Sequence, residues 1–367
     1  MAIALTHGGT TVYTTSSRSE EVLIGTREGV MIIGRTEGVT GWSLVHNALP
    51  DHHISSIIEE PESGLLFAGA FGDGSVHASA DNGRTWELRD NGLTLKDVYT
   101  VAAGRVNGTV RVFAGVEPAS LFYSDDLGLN WAELPNLRSV PSVDDWYFPG
   151  PPHIGHLKHL SLDPADSNTM YASIEVGALL KSTDGGQNWQ ELSTGDVDTH
   201  RTVLHPGKPD RVFCVCGGGG SSPNPGVFLS ENRGETWEQL TGTDHPIGDY
   251  PDLLVAHPQD PDLLFISAAH HSPGDWRTSH YAGSRISRSA DGGRTWDIIS
   301  SGLPDRLQAS IEAMILEAYG DSFSLFAATT SGEVWNSDDG GDNWSMIVDG
   351  LPPVSKKGHY VPLAVPA

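Results

Sequence analysis

Cysteine is almost absent from this 367-residue chain, which has two, Cys214 and Cys216. One residue apart, they fall on the same face of a strand and are badly placed for a mutual disulfide, so they read as small buried hydrophobes in a reducing compartment. Basic residues are also scarce. Twenty-two Lys and Arg stand against 47 Asp and Glu, a formal charge of −25. That field opposes a polyphosphate partner, and no basic stripe with interleaved aromatics occurs, so nucleic acid is excluded. No run approaches the roughly 18 apolar residues of a membrane helix. Met1 to Thr15 lacks the basic start and apolar middle of a secretory signal. A soluble, cytoplasmic protein with no membrane partner is expected. The common catalytic signatures are missing too: there is no GxxxxGK[ST], no GxSxG, no HExxH and no HxxxH.

What the chain has in quantity is glycine (43), proline (23) and aromatics, with 10 Trp, 9 Tyr and 10 Phe available for burial. That balance suits short strands joined by tight turns. One octet recurs six times: SADNGRTW from Ser79, SDDLGLNW from Ser124, STDGGQNW from Ser182, SENRGETW from Ser230, SADGGRTW from Ser289 and SDDGGDNW from Ser337. A worn seventh copy runs from Gly34 to Trp42. The repeat tryptophans, Trp42, Trp86, Trp131, Trp189, Trp237, Trp296 and Trp344, lie 44 to 59 residues apart, the size of one four-stranded sheet with its turns. Each octet reads as a hairpin turn. The acidic side chain accepts backbone hydrogen bonds, glycine supplies the positive φ, and Trp anchors the next strand.

These octets resemble the Asp-box, or BNR, repeat S/T-x-D-x-G-x-T-W of sialidases, family 74 xyloglucanases, sortilin-type ectodomains and plant photosystem-assembly factors. The resemblance covers essentially the whole chain and implies an all-β fold. With seven boxes, residues 1–367 are expected to form a single seven-bladed β-propeller of four-stranded antiparallel blades. Inner strands are expected at His53–Glu60, Val98–Arg105, His156–Asp163, Thr199–His205, Tyr250–His257 and Ser310–Ala318. The first blade lacks an upstream inner partner, so the ring is expected to close by the C-terminal segment His359–Val365 joining the N-terminal blade. Met1 to Thr15 is read as an additional edge strand. The box carboxylates Asp81, Asp126, Asp184, Asp291 and Asp339, with Asn232 departing from the pattern, are assigned to turns and not to catalysis.

Three elaborations interrupt the repeat: Arg138–Gly155, Gly217–Gly226 and Ala269–Ser284. In an up-and-down blade all three emerge on one face, the face where the inner strands begin, and by resemblance to sialidases the face that carries ligands. Long loops on one rim are a functional pointer. The strand starts there are rich in histidine and carboxylate, groups suited to acid–base work or to a divalent metal. His156, His200, Asp252, Glu312 and His359 are the catalytic candidates. His53, Trp146, Lys158, Arg201, Tyr250, Trp276, Arg277 and Tyr281 are the ligand-binding candidates. A divalent ion, the one cofactor considered, is assigned to His156, His200, His270 and His359. His205 and His257, each before a proline at the far end of a strand, are assigned to turns.

The resemblance does not carry activity with it. Sialidases have an early F/Y-R-I-P motif, whereas this chain reads VLIGTREGV around Arg27. Family 74 enzymes pair two propellers, and this chain has length for one. The reading is therefore an enzyme of hydrolase or lyase type acting on a small polar or carbohydrate-like ligand in the channel mouth. The alternative is a non-catalytic ligand- or protein-binding propeller whose partner meets the rim aromatics.

Overall fold

A blade within a ring is covered on both faces, so its middle strands need apolar or small residues throughout and lose the usual alternation. LFAGA (Leu66–Ala70), MYASIE (Met170–Glu175) and VFCVC (Val212–Cys216) have that composition, and each is buried along its whole length. The computed structural model describes residues 2–35, 41–219 and 223–364. Its strands form seven sheets, the blades of a β-propeller. Blades 2 to 7 open with inner strands Ile54–Glu59, Asp97–Val106, His156–Leu162, Thr199–Leu204, Tyr250–His257 and Ile311–Tyr319, each end within one residue of expectation. Outer strands such as Glu87–Leu88 and Glu238–Gln239 are short and exposed. Cys214 and Cys216 are free thiols, buried with their sulfurs 3.8 Å apart. Among the described residues, no helix is long and apolar enough to cross a membrane.

The octets fold as local hydrogen-bond cages between the third and fourth strands. Ser289 Oγ donates to Asp291 Oδ1 (2.8 Å) and accepts the Gly293 N–H (2.8 Å). Asp291 Oδ1 accepts the Thr295 N–H (2.9 Å), and Trp296 Nε1 donates to Gly293 O (2.9 Å). Asn232 preserves the cage, since its Oδ1 accepts the Thr236 N–H (2.9 Å) and its Nδ2 donates to Thr236 Oγ1 (2.9 Å). In the worn copy at Gly34–Trp42, residues 36–40 lie outside the described residues.

Closure joins the two ends of the chain, and the N-terminal segment supplies the strands. Ile3–Leu5 takes the inner position of blade 1, parallel to Glu21–Thr26. Val12–Thr15 then adds to the C-terminal blade as a fifth strand, parallel to Ile311–Tyr319. One apolar cluster seals this seam, with Ile3, Leu5, Val22 and Ile24 against Ala313, Ile315 and Phe326. Between the two strands the chain turns inside the channel at Gly8–Gly9. A Cβ there would stand 2.3 Å from Tyr99 O or Ile57 O, a gap only glycine fits.

The segment from His359, expected to be the closing strand, instead crosses the face where the inner strands begin and forms a 3-10 turn at Val361–Leu363. Val365 lies outside the described residues. Two causes explain the difference. The inner slot of blade 1 is already filled, and Pro352, Pro353 and Pro362 withdraw ladder donors from the tail. The tail is tied down at intervals: Arg27 N–H donates to Pro353 O (2.8 Å), Val354 N–H to Thr329 O (3.2 Å) and Lys356 N–H to Glu312 Oε2 (2.5 Å).

Because each box rests on one buried hydroxyl, Ser289→Ala should destabilise the protein by about 1–3 kcal/mol, the cost of leaving a buried amide unsatisfied. Urea denaturation measures this, and an unchanged midpoint would refute the cage as a structural element.

Candidate functional site

The three irregular loops meet where the inner strands start. Phe148–Pro151 from the first, Gly217–Gly219 from the second, and Ser272–Gly274 with Arg277 from the third surround a cavity of about 480 Å³. Residues 220–222 of the second loop lie outside the described residues. Tyr99, Glu175, Val176, Asp198 and Tyr250 from the blades complete the walls, with Lys356, Lys357, Gly358, His359 and Pro362 from the tail. Decorated loops and polar strand starts thus share one end of the axis. A second cavity, of about 470 Å³, opens at the other end among Gly8–Val12 and Arg201–Pro206.

Between the cavities lies a charged floor. Glu175, the last residue of its strand, accepts from His156 Nε2 (2.6 Å), Lys158 Nζ (3.4 Å) and Lys356 Nζ. Burial pushes its carboxyl up, but the two ammoniums and His156 outweigh that and hold it well below the usual range. Asp252 binds Lys158 Nζ at 2.6 Å; burial pushes its carboxyl up, but Lys158 and His200 outweigh that and hold it well below the usual range. His200 Nδ1 lies 3.0 Å from both Pro251 O and Asp252 Oδ1. Its Nε2 faces Asp198 Oδ1 at 3.3 Å and Glu175 Oε1 at 3.5 Å. Burial and Lys158 depress His200, yet Asp198 and Asp252 outweigh them and raise it to about 9. Tyr99 stacks on His156 at 3.8 Å and donates to Glu117 Oε2 (2.8 Å).

At the wall, His359 Nδ1 lies 2.8 Å from Glu312 Oε1. Glu312 is a pure acceptor, so Nδ1 carries the proton and Nε2 the lone pair. Among the described residues Nε2 has no hydrogen-bond partner, and His359 lines the cavity. Burial and the Lys356 ammonium lower its pKa despite Glu312.

The structure distributes the expected residues over two depths. His156, His200, Asp252, Glu312 and His359 do come together, but of these only His359 lines the cavity, and the others lie beneath or behind it. Of the ligand-binding candidates, Tyr250 and Arg277 reach the cavity. Lys158 is consumed by Asp252 and Glu175, and Arg201 donates to His7 O (2.7 Å) in the N-terminal turn, so both are internal props. His53 Nε2 is held by Ser355 O at 2.8 Å. Trp276 is fully buried, packing edge-on against Tyr250 and His359 from behind the wall. Trp146 packs on a leucine-rich cluster with Nε1 on Ser142 Oγ (2.9 Å), and Tyr281 is exposed outside the cavity.

The four histidines assigned to a metal do not converge. His156 is taken by Glu175, His359 by Glu312, and His270 lies in the third loop beside His271. Charge pairing inside the channel had a stronger claim on them than a shared ion. Sequence reasoning did not single out Glu117, Glu175, Lys356, Lys357 and His7. Glu117 and Glu175 share one overlooked signal: each ends an apolar second strand, TVRVFAGVE and MYASIE.

Comparison with known proteins agrees with this architecture. The family model Sortilin-Vps10 (sortilin, neurotensin receptor 3) matches residues 177–304. The xyloglucanase Xgh74A of Acetivibrio thermocellus is 22% identical over 255 residues, covering 61% of this chain and 30% of that protein. A probable oligoxyloglucan-reducing end-specific xyloglucanase of Neosartorya fischeri is 25% identical over 51% of this chain and 22% of its own length. The chain thus spans less than a third of these relatives. Among solved structures, the GH74 xyloglucanase from Xanthomonas campestris superposes with a TM-score of 0.66 at 16% identity, over 96% of this chain and 56% of that one. YCF48 bound to D1 peptide gives 0.54 at 15% identity, over 92% and 86%. In fold, the chain is a seven-bladed β-propeller similar to these proteins.

Burial lowers His53 to about 4 and His7 to about 3, in each case against partners that raise it. Both are neutral in the fold and titrate near 6.5 when unfolded. Their contribution to stability is therefore complete above about pH 6.5 and is lost as pH falls towards 4. Tm measured across that window should drop, and His53→Gln should flatten the slope. An identical slope in the variant would contradict the assignment.

Proposed function

We propose that the chain is a hydrolase-type enzyme acting on a small polar, carbohydrate-like molecule held in the cavity on the decorated face. One observation carries this reading: a Glu312–His359 pair at 2.8 Å whose imidazole borders a cavity with Lys356 and Arg277 on its walls. Glu312 fixes the ring so that Nε2 presents a lone pair, and the lowered pKa keeps His359 a base at neutral pH. On a sugar ester, His359 takes a proton from a water molecule as the water oxygen bonds to the acyl carbon, and gives that proton to the sugar oxygen as the acyl C–O bond breaks. Arg277 supplies positive charge where the transition state gains negative charge, whereas the Lys356 ammonium is paired with Glu175. Two aromatic walls, Tyr99 and Tyr250, and glycine-rich loop backbone suit a polyhydroxylated ring. The matched xyloglucanases support the substrate class and the hydrolytic chemistry.

A second reading, capture of a peptide, is favoured by one feature. The chain's own tail already crosses this mouth with Lys356 directed at Glu175, and one structural neighbour, YCF48, is bound to a peptide.

A mass-spectrometric screen of glycosides and sugar esters, repeated with His359→Asn and Glu312→Gln, separates the two readings. Turnover should fall by about 10²–10⁴ in His359→Asn, the usual contribution of a general base, while thermal unfolding stays cooperative. Undiminished turnover in His359→Asn would overturn the mechanism, and peptide binding with no turnover of any substrate would favour the second reading.

A further inference from the structure

One edge of the charged floor is chemically unfinished. Glu175 ends a strand of blade 4, Asp198 precedes the inner strand of blade 5, and His200 lies on that strand. One ligand atom from each falls within 4.8 Å of the other two. His200 Nε2 and Asp198 Oδ1 are buried and have no hydrogen-bond partner among the described residues, although they lie 3.3 Å apart. Two ligands each about 2.1 Å from a tetrahedral ion stand about 3.4 Å apart. The His200 separations from Asp198 Oδ1 and Glu175 Oε1, 3.3 and 3.5 Å, match that spacing.

The surroundings prepare each ligand. Pro251 O and Asp252 Oδ1, both 3.0 Å from His200 Nδ1, hold one proton there, so an ion at Nε2 displaces only the second proton, the one that faces the carboxylates. The Gly219 N–H holds Asp198 Oδ2 at 2.8 Å, which turns Oδ1 towards His200. A Cβ on Gly217 would stand 2.4 Å from His200 Nε2, so glycine keeps the approach to that nitrogen open. Two ammoniums already contact Glu175 Oε1: Lys158 Nζ at 3.4 Å, which Asp252 holds more closely at 2.6 Å, and Lys356 Nζ. Lys356 is carried by the C-terminal tail rather than by a blade.

We infer that Glu175, Asp198 and His200 form a binding site for a divalent first-row transition ion, Zn²⁺ or Mn²⁺, at the base of the decorated-face cavity, and that Lys356 is its built-in competitor. Two carboxylates and one imidazole suit these ions, and the cavity leaves a side open for water or ligand. The site goes beyond the proposed hydrolysis, because ion binding is read without a substrate.

The test is calorimetric titration of chelator-treated full-length protein with Zn²⁺ and with Mn²⁺, with Co²⁺ absorbance as a second readout of geometry. Wild type should bind one ion saturably with either Zn²⁺ or Mn²⁺. Asp198→Asn and His200→Gln should each weaken binding at least ten-fold, and Lys356→Gln should tighten it. His359→Asn should bind the ion as wild type does even if turnover is lost, so failure of the hydrolase reading and failure of the ion site are told apart. Should a variant misfold, the wild-type Co²⁺ spectrum still decides, since tetrahedral bands require protein ligands to have replaced most of the aqueous shell, one water position remaining. Absence of saturable binding, an octahedral aqueous-type spectrum, or equal affinity in Asp198→Asn would overturn the inference, the last by assigning the ion to surface carboxylates.

Discussion

Glu175 is a carboxylate shut away from solvent at the axis of the ring, and an unpaired ion in that position costs several kcal/mol. It is stabilised by cations from two parts of the chain: Lys158 from its own blade and Lys356 from the tail. His156 supplies a third contact at 2.6 Å. The rest of the axial arrangement follows from that neutralisation. Lys158 also reaches Asp252, Asp252 orients His200, and the main chain of Lys356 bonds Glu312, which in turn orients His359. Removing one charge therefore disturbs partners on several blades.

The propeller makes such a network affordable in packing terms. Apolar contact between blades is confined to the faces of the sheets, in clusters such as that of Leu121, Leu157, Ile174 and Leu180. The axis is then free to carry polar groups, provided each finds a partner. The N-terminal turn at His7–Gly9 fills the channel from one end, with Arg201 donating to its carbonyls, and the tail covers it from the other. Where the two leave room, beneath the three long loops, a cavity remains with charge at its base.

Much of this was legible in the sequence, and the reasons are local. The octet is a self-contained cage within eight residues, so its seven copies report seven blades without any long-range information. Strand starts carrying His156, His200 and Asp252 were readable for the same reason, since the repeat phase places them at one rim. Depth was not readable. Whether Lys158 or Trp276 faces the cavity depends on how far each loop folds over the axis, and that is decided by packing between blades. Glu117 and Glu175 were hidden because they end second strands, where attention falls on the apolar run before them. Lys356 and His7 come from the two chain ends, whose paths follow from an already filled inner slot and from prolines that forbid a strand. Trp146 and Trp276 illustrate the same limit: large aromatics in inserted loops fold inward as anchors when apolar neighbours are within reach.

The central claim is that the decorated mouth, with its buried charges, is where this protein meets its ligand. Crystals grown with a mixture of mono- and oligosaccharides test it most directly. The account predicts a sugar bounded by Phe148, Gly217–Gly219 and Arg277, touching His359 and the Glu175–Asp198 edge. A sugar bound instead in the opposite cavity, among Gly8–Val12 and Arg201–Pro206, would contradict it.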